Sequence, residues 1–183
     1  MLERYNNLSV IKWTHNDNKL EEVVDALIAY YRNIFQKNSS FITLEDELKN
    51  LEIYISLLKS AYDQEFLYEA HTEDIVLSEC ILTNLIQPLI ENAFIHSINN
   101  SDESSAYIKI NIQQTDSEIQ IKVINNHCDA DTEKLFNTIN SDGNSALSII
   151  QKRIRLYYGK DYGLSFEKNN DVLTTTLKLP LDY

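Results

Sequence analysis

The chain has 183 residues, of which 43% are hydrophobic, and its formal net charge is −12 at pH 7. This hydrophobic share is typical of a globular protein with a core, and the length suits one domain with an appendage or two small units. The negative charge argues against nucleic acid as a partner, because its phosphates would be repelled. There is neither a run of about 18 apolar residues nor a signal-peptide pattern, so we expect no membrane contact by this chain.

Residues 1–64 are predicted to be helical. Apolar residues recur at helical spacing over 20–35, and again over 44–62 in alternating steps of four and three residues. The second series is a heptad pattern, so two long helices could pair with each other as a hairpin or with those of a second subunit. Thr43 is a suitable N-cap for the second helix, whose first turn is acidic.

Beyond Gln64 the pattern changes to that of a mixed domain. A short strand is predicted at 66–70, and a helix from about Ser78 to Ile98, in which Pro88 requires either a kink or a regular helix that begins near Thr83. The remaining predicted elements are strands at 108–112, 119–123, 162–168 and 172–179 and helices at 129–139 and 146–158. Helices on one face of a mostly antiparallel sheet form an α+β two-layer sandwich.

The block from Leu85 to His96 combines the apolar spacing of a helix with three polar residues that could converge. Its sequence, L-I-Q-P-L-I-E-N-A-F-I-H, resembles the N-box of LytS-type sensor histidine kinases, which reads roughly L-Q-P-L-V-E-N-A-I-K-H-G. That family belongs to the GHKL ATPases, so the resemblance implies the GHKL (Bergerat) type of sandwich. It implies that Asn92 binds Mg²⁺, that Glu91 acts as a base, and that His96 takes the family histidine's place beside the nucleotide.

The resemblance extends toward the N-terminus. Residues 5–8, Y-N-N-L, are similar to the end of the family's H-F-L-Y-N-T-L motif, whose phosphoacceptor histidine would fall at Leu2. Either this histidine has been lost or the chain was cut at that point. Residues 43–48 resemble the T-L-x-E-E-L stretch that connects the dimerising helices to the ATPase domain. The resemblance thus implies a dimerisation region at 1–64 and a histidine-kinase-like ATPase domain at 65–183.

The glycine motifs of the family are altered here. Asn125 stands where an Asp accepts a hydrogen bond from the adenine amino group, and His127 replaces a glycine. Asn144 and Ala146 replace the glycines that let backbone N–H groups approach the triphosphate. The strand that contains Thr174 resembles the closing G-T-x-V-x-I-x-L-P strand. The resemblance therefore assigns nucleotide contacts to Asn125, Ala146 and Thr174.

The function implied is that of the cytoplasmic kinase core of a two-component sensor, and the whole sensor is expected to be anchored in a membrane. Such a core binds Mg²⁺-ATP, works as a homodimer, and passes the γ-phosphoryl group through histidine to a response regulator. Cys80 and Cys128 fit no metal-ligand spacing and indicate a reducing compartment.

Two alternatives stay open. Because the glycine motifs are eroded and Asn125 replaces an Asp, the chain could be a degenerate, pseudokinase-like domain that binds nucleotide weakly or not at all and acts by dimerisation and partner binding. The other is an ATP-driven clamp of the MutL or gyrase kind, which shares the fold but lacks the leading helices. Whether the chain is an enzyme is therefore open at this stage.

Overall fold

The computed structural model describes residues 39–61, 66–72, 77–99, 106–141 and 143–181, together with Val24, Asp25, Ile28 and Arg32. Those four isolated residues are helical, as predicted. The motif at 5–8, the position of Leu2 and most of the first predicted helix lie outside the described residues.

The described part of the chain alternates between strands and helices. In chain order the elements are β1 (Phe41–Thr43), α1 (Leu44–Ala61), β2 (Phe66–Thr72), β3 (Cys80–Leu82), α2 (Gln87–Asn99), β4 (Ala106–Gln114), β5 (Glu118–Asn125), α3 (Thr132–Asn140), α4 (Ala146–Tyr158), β6 (Gly163–Asn169) and β7 (Val172–Pro180). Five strands form one sheet in the order β2-β4-β5-β7-β6, and β1 pairs with β3 apart from it. Within the large sheet β2 is parallel to β4, and the other pairs are antiparallel.

The helices cover one face of the large sheet. Every second residue is buried along most of β4 and throughout β5 and β7, which is the pattern of a sheet with one covered face. The buried side chains of these strands share one hydrophobic core with residues of α1, α2 and α4. The α+β two-layer sandwich predicted from the sequence is confirmed.

Helix α1 packs into this same core. Leu44 is fully buried, Leu51 is 2% exposed and Ile55 is 4% exposed. These three residues belong to the heptad pattern at 44–62, so in the described structure much of that pattern faces the interior of the domain. The boundary predicted between residues 64 and 65 lies between two elements, α1 and β2, that contribute to one core.

Helix α2 begins later than the sequence pattern predicted. It starts at Gln87, and residues 80–82, which were expected to be helical, form β3 against β1 instead. Pro88 is the second residue of the helix and lies in the first turn, where a missing N–H costs no helical hydrogen bond. Of the two outcomes that the proline allowed, a late start is correct, although the helix starts at Gln87 and not near Thr83.

The N-cap predicted for α1 is confirmed, and α3 has a cap that was not predicted. Thr43 Oγ1 accepts the N–H of Asp46 at 3.2 Å, as expected of an N-cap at the start of α1. Helix α3 starts three residues later than expected because Asp131 caps it, accepting the N–H groups of Glu133 and Lys134.

In the described part of the chain, none of the helices has both the length and the apolar character that a membrane span requires.

The burial of α2 predicts different costs for one substitution at two positions of this helix. Ile90 is fully buried, whereas Ile95 is 50% exposed. Ile90→Ala should lower the free energy of unfolding by about 2–5 kcal/mol, because it removes methylene groups and leaves a cavity. Ile95→Ala should lower it by less than about 1 kcal/mol. Urea denaturation followed by circular dichroism measures both, and equal losses would contradict the packing of α2 on the sheet.

Candidate functional site

A buried cluster of polar side chains joins α2 to the end of β5. Ser97 Oγ donates to the carbonyl oxygen of Asn126 at 2.8 Å, and Asn125 Nδ2 donates to Ser97 Oγ at 3.1 Å and to Asn126 O at 3.3 Å. Asn126 Oδ1 in turn accepts the N–H of Tyr107 at 2.8 Å. Ser97, Asn125 and Asn126, here called the Ser97–Asn125 cluster, are 0%, 1% and 8% exposed. The cluster therefore lies inside the domain, although every member is polar.

One atom of this cluster lacks a hydrogen bond. Within the described part of the chain, Asn125 Oδ1 is buried and has no hydrogen-bond partner. An unsatisfied buried acceptor costs about 1–3 kcal/mol, so such an atom calls for a structural reason. The amide is held in this orientation because a rotated Asn125 would bring Oδ1 against the carbonyl oxygen of Asn126, which can only accept, and against Ser97 Oγ, whose hydrogen is already donated to that carbonyl. The free atom of Asn125 is therefore an acceptor.

The turn after β5 keeps a glycine-like backbone. His127, which stands in the place of a family glycine, has a φ of 54°, in the left-handed region that favours glycine. A side chain in this region costs roughly 1–2 kcal/mol. The N–H of Cys128 donates to Asp171 O at 2.8 Å, which ties the turn to the β6–β7 hairpin. The backbone of this motif is thus retained although its side chain has changed.

Glu91 and Asn92 lie next to each other on α2 and are partly buried. Gln87 Nε2 donates to Glu91 Oε1 at 2.7 Å across one helical turn, which orients the carboxylate. An amide oxygen such as that of Asn92 is a hard, neutral ligand of the kind that Mg²⁺ accepts. Among the described residues, no group of three or more His, Cys, Asp and Glu side chains is arranged to hold a metal ion.

His96 is a partly buried residue of α2, one position before Ser97. Burial lowers the pKa of its imidazole below the usual value, although the nearby carboxylate of Asp129 opposes this shift. His96 is therefore neutral at pH 7, and it can exchange hydrogen bonds with a ligand but brings no positive charge to a phosphate.

The start of α4 is capped by the chain itself. Ser145 Oγ accepts the N–H of Ser148 at 3.1 Å, and Ser148 Oγ donates to the carbonyl oxygens of Ser141 and Gly143 at 3.2 and 2.9 Å. This cap uses one of the four N–H groups that a helix leaves free at its N-terminus. Ala146, the first residue of the helix, is exposed. The arrangement leaves Ala146 on the surface at the positive end of a helix, where an anion can approach.

The structure does not bring Thr174 together with the other predicted site residues. Thr174 pairs with Ile124, whereas its neighbour Leu173 pairs with Asn125. Adjacent residues of a strand point to opposite faces, so Thr174 faces away from the helices and Leu173 faces them. Aligning Val172 with the glycine of the closing motif also places Leu173, and not Thr174, at the motif threonine. The fully buried Leu173 is the residue that lies across from Asn125.

Glu47 contacts the segment before α2, a role that sequence reasoning missed. The sequence placed it among the acidic residues at the start of α1 and in the stretch that resembles T-L-x-E-E-L, but assigned it no contact. The structure buries it to 4% exposure, and its carboxylate accepts the N–H groups of Asn84, Leu85 and Ile86 at 3.0, 2.9 and 3.1 Å. Burial raises the pKa of the Glu47 carboxyl, while the three N–H groups and the charge of Arg153 act in the opposite direction. The available signal was its position, since Glu47 lies on the apolar face of α1 between Leu44 and Leu51.

Sequence comparisons find similarity to histidine kinases. A family model described as "Histidine kinase" matches residues 4–66. The sensor histidine kinase BtsS of Escherichia coli (strain K12) is 21% identical over 179 residues, which cover 96% of this chain and 31% of BtsS. The sensor histidine kinase/phosphatase LytS of Staphylococcus aureus (strain MRSA252) is 26% identical over 174 residues, covering 91% of this chain and 30% of LytS. The chain thus spans about a third of the length of these relatives.

Solved structures show the same architecture. The catalytic domain of histidine kinase ThkA has a TM-score of 0.58 and 14% sequence identity, covering 77% of this chain and 95% of that domain. ThkA in complex with the response regulator protein TrrA has a TM-score of 0.50 and 16% identity, covering 95% of this chain and 55% of ThkA. The fold is that of a histidine kinase catalytic domain of the GHKL type. The resemblance to LytS-type sensor histidine kinases is confirmed.

The Ser97–Asn125 cluster predicts an unusual cost for restoring the family's aspartate alone. Asn125→Asp replaces a donor with a carboxylate oxygen that faces two acceptors, so it should lower the free energy of unfolding by about 2–4 kcal/mol at pH 7. Adding Ser97→Gly should recover part of the loss, because one of those acceptors is gone. Asn111→Asp on β4 is the control, since that residue lies on the opposite face of the sheet, and it should cost less than about 1 kcal/mol. Urea denaturation of the parent and the three variants measures these losses, and a harmless Asn125→Asp would contradict the assigned hydrogen bonds.

Proposed function

We propose that this chain, whose sequence and fold resemble those of the LytS-type sensor histidine kinases, contains the nucleotide-binding catalytic core of such a sensor. The core would bind Mg²⁺-ATP between α2, the end of β5 and the start of α4. Its phosphoryl group would pass to a histidine and then to a response regulator. The unsatisfied Oδ1 of Asn125 is the observation that carries the proposal, because it presents an acceptor where the family places the adenine amino group.

The residues at the adenine end of the site fit a base that carries an amino group. Ser97 Oγ and Asn126 O hold the Asn125 amide so that only its acceptor is free. A neutral amide oxygen contributes about 0.5–1.5 kcal/mol to such a bond, less than the 1.5–3 kcal/mol of a carboxylate. The hydrogen bond to the amino group would therefore be weaker than that made by the family's aspartate, but Asn125 would accept it just as the aspartate does.

The N-box residues and α4 would serve the phosphate end. Asn92 would offer its amide oxygen to Mg²⁺, a hard cation that prefers oxygen ligands. Glu91, oriented by Gln87, would act on the attacking histidine as a base. His96 would exchange hydrogen bonds with the nucleotide, and the N-terminus of α4 at Ala146 would face the phosphates. When bound, ATP would supply the phosphoryl group, and Mg²⁺ would neutralise the charge that develops on it.

The proposal extends to the whole protein. Its partner would be a response regulator, and it would form a homodimer through the N-terminal segment that the sequence predicts to be helical. The kinase core would lie on the cytoplasmic side of the membrane that holds the sensor. The core shared by α1 and the sheet supports a catalytic domain that starts at β1, upstream of the boundary at residues 64 and 65.

A specific observation also favours the pseudokinase alternative. Asn125 is only 1% exposed, so a base reaches its Oδ1 only after part of the Ser97–Asn125 cluster opens. The hydroxyl of Ser97, where the family has a glycine, strengthens that cluster by two hydrogen bonds. Both features would weaken nucleotide binding, and in the extreme case the domain would act through dimerisation and partner contacts alone.

The affinities of the chain for two nucleotides distinguish the kinase core from the pseudokinase alternative. Titrate the purified chain by calorimetry with non-hydrolysable analogues of ATP and of ITP in the presence of Mg²⁺. Inosine carries an oxygen in place of the adenine amino group, so it would set an acceptor against Asn125 Oδ1. We expect at least a tenfold preference for the ATP analogue, about 1.4 kcal/mol. The absence of saturable binding would support the pseudokinase alternative, and equal affinities would mean that Asn125 does not contact the base.

Asn92 is expected to carry the metal dependence of this binding. Asn92→Ala removes the proposed metal ligand and should weaken binding in Mg²⁺ by at least tenfold, while affinity measured in EDTA stays the same. The variant should remain folded, because Asn92 is only partly buried. Asn111→Ala, on the opposite face of the sheet, is the matched control and should bind as the parent does. If Asn92→Ala keeps the full effect of Mg²⁺, the N-box serves as a scaffold in this chain.

A further inference from the structure

The segment before α2 lacks a cap of its own. Ile86, which precedes the helix, is fully buried and has no side-chain oxygen that could accept an N–H. Its carbonyl oxygen accepts the N–H groups of Leu89 and Ile90, so the helix begins at this turn. Asn84 has a φ of 59°, in the left-handed region, so the backbone turns sharply at this residue; residues 84–86 are here called the bend. The N–H groups of this bend therefore need an acceptor from elsewhere.

Glu47 of α1 supplies that acceptor. Its carboxylate receives all three N–H groups at 84–86, with distances between 2.9 and 3.1 Å. The carboxylate also lies at the positive end of α2, where a negative charge is stabilised by the helix dipole. From the other side, the guanidinium of Arg153 on α4 donates to Thr83 O at 2.8 Å. The bend is thus held between α1 and α4.

Further bonds join the start of α1 to the same segment. The N–H of Leu44 donates to Glu79 O at 2.8 Å, and the N–H of Thr83 donates to Ser40 O at 3.0 Å. Strands β1 and β3 pair over three residues between these two bonds. The start of α1 and the segment that leads into α2 therefore form one hydrogen-bonded unit.

We propose that Glu47 is a positioning residue that couples α1 to α2, so that the position of α1 sets the position of Glu91 and Asn92. Asn92 lies five residues into α2, about 8 Å along the axis from its first residue. A tilt or shift of α1 would therefore move the metal ligand relative to the Ser97–Asn125 cluster, to which the far end of α2 is tied. In its consequence for nucleotide, this inference rests on the proposed function.

The first test needs no nucleotide. Measure amide hydrogen exchange of the parent, Glu47→Gln and Glu52→Gln; Glu52 is an exposed residue of the same helix and serves as the matched control. In Glu47→Gln, the side-chain amide offers one acceptor and turns a donor toward the remaining N–H groups. We expect amides 84–86 and those of the first two turns of α2 to exchange at least tenfold faster, with β5 and β7 unchanged. Exchange like that of Glu52→Gln would overturn the coupling.

The second test measures Mg²⁺-dependent affinity for the ATP analogue in a double-mutant cycle. Glu47→Gln alone should weaken it at least tenfold, and Glu47→Gln should add nothing further in a chain that already carries Asn92→Ala. This non-additivity is expected if Glu47 acts through Asn92, whereas a merely structural role would give additive losses. Additive losses, or a normal affinity in Glu47→Gln, would overturn the positioning role.

If Glu47→Gln does not fold, the inference can be tested on the parent chain instead. By reciprocity, binding of the ATP analogue should slow exchange at amides 84–86 of the unmodified chain, and unchanged exchange there would overturn the inference. If the parent binds no nucleotide, the proposed function fails. The exchange experiment then decides on the coupling by itself, with Glu47→Asp, which keeps the charge, as the second variant.

Discussion

The domain depends on one helix, α2, which packs an apolar face against the sheet and is held by polar bonds at both ends. Helix α2 lies against the sheet with Leu89, Ile90, Ala93 and Phe94 almost fully buried. Such burial fixes the distance between helix and sheet, but apolar contact is non-directional and does not fix the position of the helix along its axis. The directional bonds come from Glu47 before the first turn and from Ser97 near the last. The predicted site residues Glu91, Asn92 and His96 lie between these two attachments.

The second attachment explains why two departures from the family pattern occur together. A serine at position 97 brings an oxygen whose own hydrogen is directed to Asn126 O, so its lone pairs face residue 125. An aspartate at 125 would face those lone pairs, whereas an asparagine can donate to them. Ser97 and Asn125 are therefore complementary, and together they replace the family's pairing of glycine with aspartate. The backbone around them is unchanged in kind, since His127 still adopts the left-handed conformation of a glycine.

Local patterns in the sequence were sufficient to predict most of the elements. The alternation of apolar residues predicted β4, β5, β6 and β7, and helical spacing predicted α1 and α4, because these patterns repeat over several residues within one element. The three-residue strand β3 has no room for a pattern, and the late start of α2 depends on its pairing with β1. Such pairing links residues about forty positions apart, which a local pattern does not encode.

Candidate site residues could be predicted from the sequence where they belong to a local motif. They could not be predicted where their role depends on a contact with a distant part of the chain. Glu91, Asn92 and Asn125 were found because a dense local motif carries them. Thr174 was misplaced by one residue, and a shift of one residue in a strand moves a side chain to the other face. Glu47 was missed as a contact because its three donors lie 37 to 39 positions away. Its position on an apolar face was the only local sign that its carboxylate is buried.

The unsatisfied acceptor of Asn125 bears on both proposed functions, the kinase core and the pseudokinase. Without a donor it costs the domain about 1–3 kcal/mol, a cost that an apolar residue of similar size would avoid. An arriving amino group would recover that energy, and it would offset part of the work of opening the Ser97–Asn125 cluster. A domain that never receives a donor has no such compensation. The unsatisfied atom and the missing glycines therefore concern different parts of binding: an amino group of a base would satisfy the buried acceptor, whereas the glycines affect how closely a ligand approaches the backbone.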